Sequence, residues 1–158
     1  MKLGIYDVIN NPLSQLYVIK EINVKESDFK SDDSIVKVLN EHLQMNKLNS
    51  EHIYALSLTY GLIPKGIIQV SVGKCDKCEP DIRKLAIGLL LTGAEQFICF
   101  HNHPGGNKKI SDADRNLTSI YKKLGNTIGV EFCKHIMITQ NYFDYCENIM
   151  EINEVPFK

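Results

Sequence analysis

The stretch FICFHNHPGGNKKISDAD, residues 97–114, decides how this chain is read. Phe97 to Phe100 are four consecutive apolar residues, the mark of a buried strand. Residues i and i+2 of a strand point to the same side. His101 and His103 therefore present two imidazoles to one point at the strand's end. A glycine-rich loop follows, and a helix opens at Ser111. Asp114, in its first turn, returns a carboxylate toward the same point. Two histidines and one carboxylate, with a position left open, form the ligand set of a catalytic zinc site.

Upstream, IYALSLT (Ile53 to Thr59) and IIQVSV (Ile67 to Val72) read as two strands joined by a turn at Gly61 and Pro64, a hairpin. Gly73 to Pro80 is a loop. Asp81 to Thr92 is a mostly apolar helix that Gly93 stops. Downstream, the helix from Ser111 runs to Leu124 and ends at Gly125. Val130 to Thr139 is a strand, and Tyr142 to Tyr145 a short one. The order from Ile53 is β-β-α-β-α-β-β, a single α/β domain. Residues 1 to 50 form an N-terminal extension that packs on this core, and residues 51–158 form the core domain. In the extension, Leu16 to Val24 is β-rich. Ile35 to Met45 has helical spacing, with Ser34 or Asp33 placed to cap it.

Length and composition fit one domain with a substantial core: 158 residues, 44% hydrophobic. The net charge of −1 argues against direct nucleic-acid binding, which needs a basic face. No apolar run approaches the roughly 18 residues of a membrane span, and no signal peptide is visible. Five cysteines at irregular spacing do not make a disulfide framework, so reduced thiols and a cytoplasmic location are expected.

Taken alone, Ser111 and Asp114 are explained by a capping box, with Asp114 also favoured by the helix dipole. The combination goes further. His-x-His, ten residues, then Asp, with Ser three positions before the Asp, resembles the metal motif of the JAB/MPN (JAMM) metalloprotease superfamily. His103 and Asp114 have that separation, and Ser111 sits where required. The wording HNHPGG, then Ser-Asp-Ala-Asp, then KLGNTIGVEFCKHIMIT is similar to the RadC-like branch, from about Glu51 to Tyr145. Two other patterns do not fit. An HNH nuclease spreads its three residues over a ββα unit. A zinc deaminase places His-x-Glu before Pro-Cys-x-x-Cys, whereas Cys75 and Cys78 precede the histidines here.

The resemblance implies a JAB/MPN-type mixed sheet flanked by helices, in a cytidine-deaminase-like layer arrangement. It implies a zinc ion (Zn2+) on His101, His103 and Asp114, with an acidified water in the fourth position. Ser111 then donates a hydrogen bond to the oxyanion. The family's general base is a Glu four residues before a Gly on an earlier strand; here that position is Gln69, before Gly73. An amide cannot take a proton, and losing a general base removes about 10²–10⁴-fold of rate. Glu79 reaches the base position only in a shifted alignment. Lys134 stands where the family usually carries Asp. Cys75 and Cys78 have a spacing suited to a metal or redox pair but read first as two loop thiols, and His135 reads as a buried or edge residue.

Three functions follow as expectations. The first is a zinc hydrolase of peptide or isopeptide bonds, acting on a peptide or protein substrate. The second is a zinc-bearing module that binds a partner without cleaving it. The third, implied by the RadC resemblance, is a role in DNA repair or mobile-element biology. JAB-type domains often dimerise, so a homodimer is compatible with the resemblance.

Overall fold

Seven strands form one mixed sheet with helices on both faces. The computed structural model describes residues 1–10, 12–73 and 80–147. In chain order the elements are β1 (Lys2–Asn10), β2 (Ser14–Asn23), α1 (Asp32–Leu43), β3 (His52–Leu58), β4 (Pro64–Val72), α2 (Ile82–Thr92), β5 (Gln96–Asn102), α3 (Asp112–Ile128), β6 (Glu131–Ile138) and β7 (Phe143–Tyr145). The strands lie in the order β2-β1-β4-β3-β5-β6-β7. The pairs β1·β4 and β5·β6 are parallel, and the rest are antiparallel.

All seven residues of β5 are buried. Both faces of this strand are covered, which is why its central run, Phe97 to Phe100, is continuously apolar rather than alternating. Ile98 and Phe100 enter a core beneath α1, with Tyr54, Leu56, Ile67, Ile35 and Leu39. Phe97 and Cys99 enter a second core beneath α2 and α3, with Ile53, Ala55, Ile68, Val70, Leu85, Leu89 and Tyr121. His101 continues the second set, so it emerges on the α2/α3 side. The layered α/β architecture and the element order from β3 onward are those expected.

Three local expectations are corrected. The N-terminal extension does more than pack on the core: its first strand, β1, joins the sheet, pairing with both β2 and β4, and buries Leu3 and Ile5. The cap of α1 is Ser31, whose side chain accepts from the Ser34 N–H, not Ser34 or Asp33. The glycine that ends α3 is Gly129, at φ 74°, rather than Gly125. Gly125 lies inside the helix for a packing reason: a Cβ there would stand 2.5 Å from the Val130 carbonyl oxygen. Among the described residues, no helix is long and apolar enough to cross a membrane.

Candidate metal centre

The chain delivers the two histidines and the aspartate from different elements to one point. Strand β5 ends at Asn102, and its periodicity carries His101 and then His103 onto the α2/α3 side. Asp114 arrives from the first turn of α3. That turn is set by the expected capping box: Ser111 Oγ accepts from the Asp114 N–H at 3.0 Å, and the Ser111 N–H donates to Asp114 Oδ2 at 2.9 Å. His101 Nε2 and His103 Nε2 are 3.0 Å apart. Asp114 Oδ1 lies 3.2 Å from His101 Nε2, and Oδ2 lies 3.2 Å from His103 Nε2.

These separations fit a metal. Four-coordinate bonds of about 2.0–2.1 Å place neighbouring donors about 3.3 Å apart. The far nitrogen of each imidazole is also held, as ligand histidines require. His103 Nδ1 meets the Asn107 carbonyl at 2.8 Å, and His101 Nδ1 meets His135 Nε2 at 2.7 Å. A second donor group, His101, His135 and Cys146, lies behind the first and is wholly buried.

The charges are tightly coupled. Burial favours the neutral form of the Asp114 carboxyl, but hydrogen bonds from His101 and His103 outweigh it and hold its pKa well below the usual carboxylate range. Burial opposes protonation of His103. The Asp114 bond, the Asn107 carbonyl and the charges of Asp114 and Glu51 prevail and raise its pKa. His135 is driven the other way, first by burial and then by the charge of His101, so it stays neutral.

Gln69 is not brought into this group by the strand register. It pairs with Tyr54, which pairs with Phe100. Directly opposed residues share a face, and Tyr54 and Phe100 lie in the core beneath α1. Its neighbours Ile68 and Val70 both face the other core. A register shift between Ile53 and Tyr54 then puts Ser71 opposite Ile53, in line with His101. Cys75, Cys78 and Glu79 lie outside the described residues. Lys134 binds the Asp32 carboxylate at 3.0 Å, so the position where an Asp was expected is tied to the start of α1.

Two residues of the site carry no mark in the linear sequence. His135 is one, reached from β5 through parallel pairing. Glu51 is the other. The register of β3 on β5 pairs Ile53 with His101. Beyond it, Asn102 holds residues 50 and 52: its Nδ2 donates to the Ser50 carbonyl at 2.9 Å, and its Oδ1 accepts from the His52 N–H at 2.7 Å. Extending that register by two places sets Glu51 across from His103. The Gly73 N–H donates to the Glu51 carbonyl at 2.7 Å and ties it to the end of β4. Glu51 thus falls on the same face as His103, and its charge acts on that ring, a relationship visible only once the strands are paired.

A model of the RadC-like JAB domain matches residues 29–150. The chain is similar to a UPF0758 protein of Clostridium acetobutylicum, 34% identical over 95 residues, covering 60% of this chain and 42% of that protein. A UPF0758 protein of Clostridioides difficile is 33% identical over 84 residues, covering 52% and 36%. One from Lactococcus lactis is 39% identical over 67 residues, covering 42% and 26%. The chain thus spans less than half the length of these relatives.

Proposed function

This chain belongs to the RadC-like JAB domain family, and we propose that His101, His103 and Asp114 hold a zinc ion that serves hydrolysis of a peptide or isopeptide bond. The observation that carries this reading is the convergence of three donor side chains at 3.0–3.2 Å, with both far imidazole nitrogens engaged. When bound, zinc supplies Lewis acidity, polarising a carbonyl and acidifying a water. The residues of the chain do the rest. Ser111 Oγ accepts from the helix, which leaves its O–H to donate to the oxygen of the substrate carbonyl. Gln69 cannot take a proton. Glu51 is the carboxylate on the same face as His103 and takes that role, receiving the proton and returning it to the leaving amine. The free thiols of Cys99, Cys133 and Cys146 suit a reducing compartment, which supports a cytoplasmic location.

A second reading, a zinc-bearing module that holds a peptide or partner without cleaving it, is favoured because the position where the family carries its base holds an amide and faces the core beneath α1. Metal analysis of the purified protein tests both, with about one zinc per chain expected. Folded protein that takes up no zinc overturns both. Cleavage of peptide or isopeptide substrates that is lost with the metal separates the first from the second.

A further inference from the structure

Behind the donor group runs a buried chain of hydrogen bonds whose direction is fixed at its far end. Thr118 Oγ1, on α3, lies 3.1 Å from the Asp114 carbonyl, 3.0 Å from the Cys146 carbonyl and 2.9 Å from His135 Nδ1. The two carbonyls can only accept. The one hydroxyl proton of Thr118 goes to them, because pointing it at His135 would turn the hydroxyl lone pairs toward two carbonyl oxygens. Thr118 therefore accepts from His135, and His135 carries its proton on Nδ1. His135 Nε2 is then a lone pair, and at 2.7 Å it accepts from His101 Nδ1–H. His101 thus carries a hydrogen on Nδ1, and Nε2, the ring atom that faces Asp114 and His103, is the one open to a metal. Thr118, His135 and His101 are 1%, 0% and 4% exposed, so water has little access to reset the chain.

We propose that Thr118 and His135 are positioning residues that lock His101 in its Nδ1–H form, so that Nε2 is the ligand atom. The inference rests on the metal reading above and deepens it. It also makes His135 a supporter of the site rather than a ligand of the second donor group, since its Nε2 is spent on His101. Tyr121 packs edge-on against the ring at 5.1 Å between centroids, and the Cys146 N–H donates to the His135 backbone carbonyl at 2.8 Å, which fixes the main chain that carries it.

Two measurements test it. Nitrogen-15 NMR of histidine-labelled, metal-free protein reads the tautomers directly. The expected result is hydrogen on Nδ1 of both His101 and His135, and none on His135 Nε2. Hydrogen on His135 Nε2 overturns the proposal. Zinc titration against a competing chelator is the second measurement. Thr118→Val keeps the shape and removes the hydroxyl, and His135→Phe removes the acceptor. Each should weaken zinc binding by about 10–100-fold, while Thr118→Ser restores it. Unchanged affinity in folded Thr118→Val overturns the proposal, and so does failure of Thr118→Ser to recover. If the wild-type protein binds no zinc, the metal reading fails, and the NMR result still decides the relay by itself.

Discussion

Ser111 and Asp114 hold each other in both directions, hydroxyl to backbone N–H at 3.0 Å and backbone N–H to carboxylate at 2.9 Å. The two bonds have different consequences. The hydroxyl caps the helix, and the backbone N–H aims the ligand. Ser111→Ala removes only the first. Thermal or urea unfolding should show a loss of about 1 kcal/mol, while zinc affinity stays within a few-fold because the N–H remains. Hydrolysis should fall by much more than zinc affinity does, about 10²–10³-fold, if the hydroxyl also serves the substrate oxygen.

The relation between Glu51 and Gln69 gives the second expectation. Glu51→Gln should lower turnover by about 10²–10⁴-fold with zinc content unchanged. Gln69→Glu should change little, because the register turns position 69 toward the core beneath α1. A large gain of activity in Gln69→Glu would show that position 69 reaches the site and that Glu51 does not replace it.

Zinc binding should weaken on the acid side. Asp114, with help from Glu51, raises the His103 pKa above its ordinary 6.5, so the proton-bound form persists to higher pH than in a free histidine. A ligand histidine must be neutral, so protons compete with the metal. Apparent zinc affinity, measured by chelator competition, should begin to fall above pH 6.5. It should then drop about tenfold or more per pH unit below that. A flat profile between pH 7.5 and 5.5 would contradict the assignment of His103 as a ligand.

The two glycines at the end of α3 should respond differently. Alanine at Gly125 would collide with the Val130 carbonyl at 2.5 Å and crowd the Phe97 ring at 3.2 Å. A stability loss of about 1–3 kcal/mol is expected. Gly129→Ala meets nothing within 4 Å but must hold φ near 74°, which costs about 1–2 kcal/mol. Denaturant midpoints of the two variants check the order.

These glycines also show what was legible in the sequence. Gly125 is a plausible stop for a helix read locally, because a C-terminal glycine and a close-packing glycine look alike until the strand beside them is placed. The donor triad was legible because i, i+2 spacing on β5 and the Ser-x-x-Asp start of α3 are local patterns. His135 and Glu51 were not, since each meets the triad across strand pairing, parallel for His135 and antiparallel for Glu51. Gln69 shows the reverse. Its distance from Gly73 suggested a place in the site, but the register shift at Val70 changes which β4 side chain lies in line with His101. The strand β1 was hidden because it alternates only partly and owes its place to β2 and β4 on either side.

The antiparallel pair β1 and β2 bears on how the protein can be handled. The family match begins at residue 29, after β1 and β2 have ended. A chain cut back to that point would leave β4 with an open row of backbone donors and acceptors, and would strip Leu3, Ile5, Ile22 and Val24 from the core beneath α1. An exposed apolar strand of this kind invites pairing with another molecule. The trimmed domain is therefore expected to precipitate or self-associate where the chain beginning at Met1 stays dispersed, as light scattering would report.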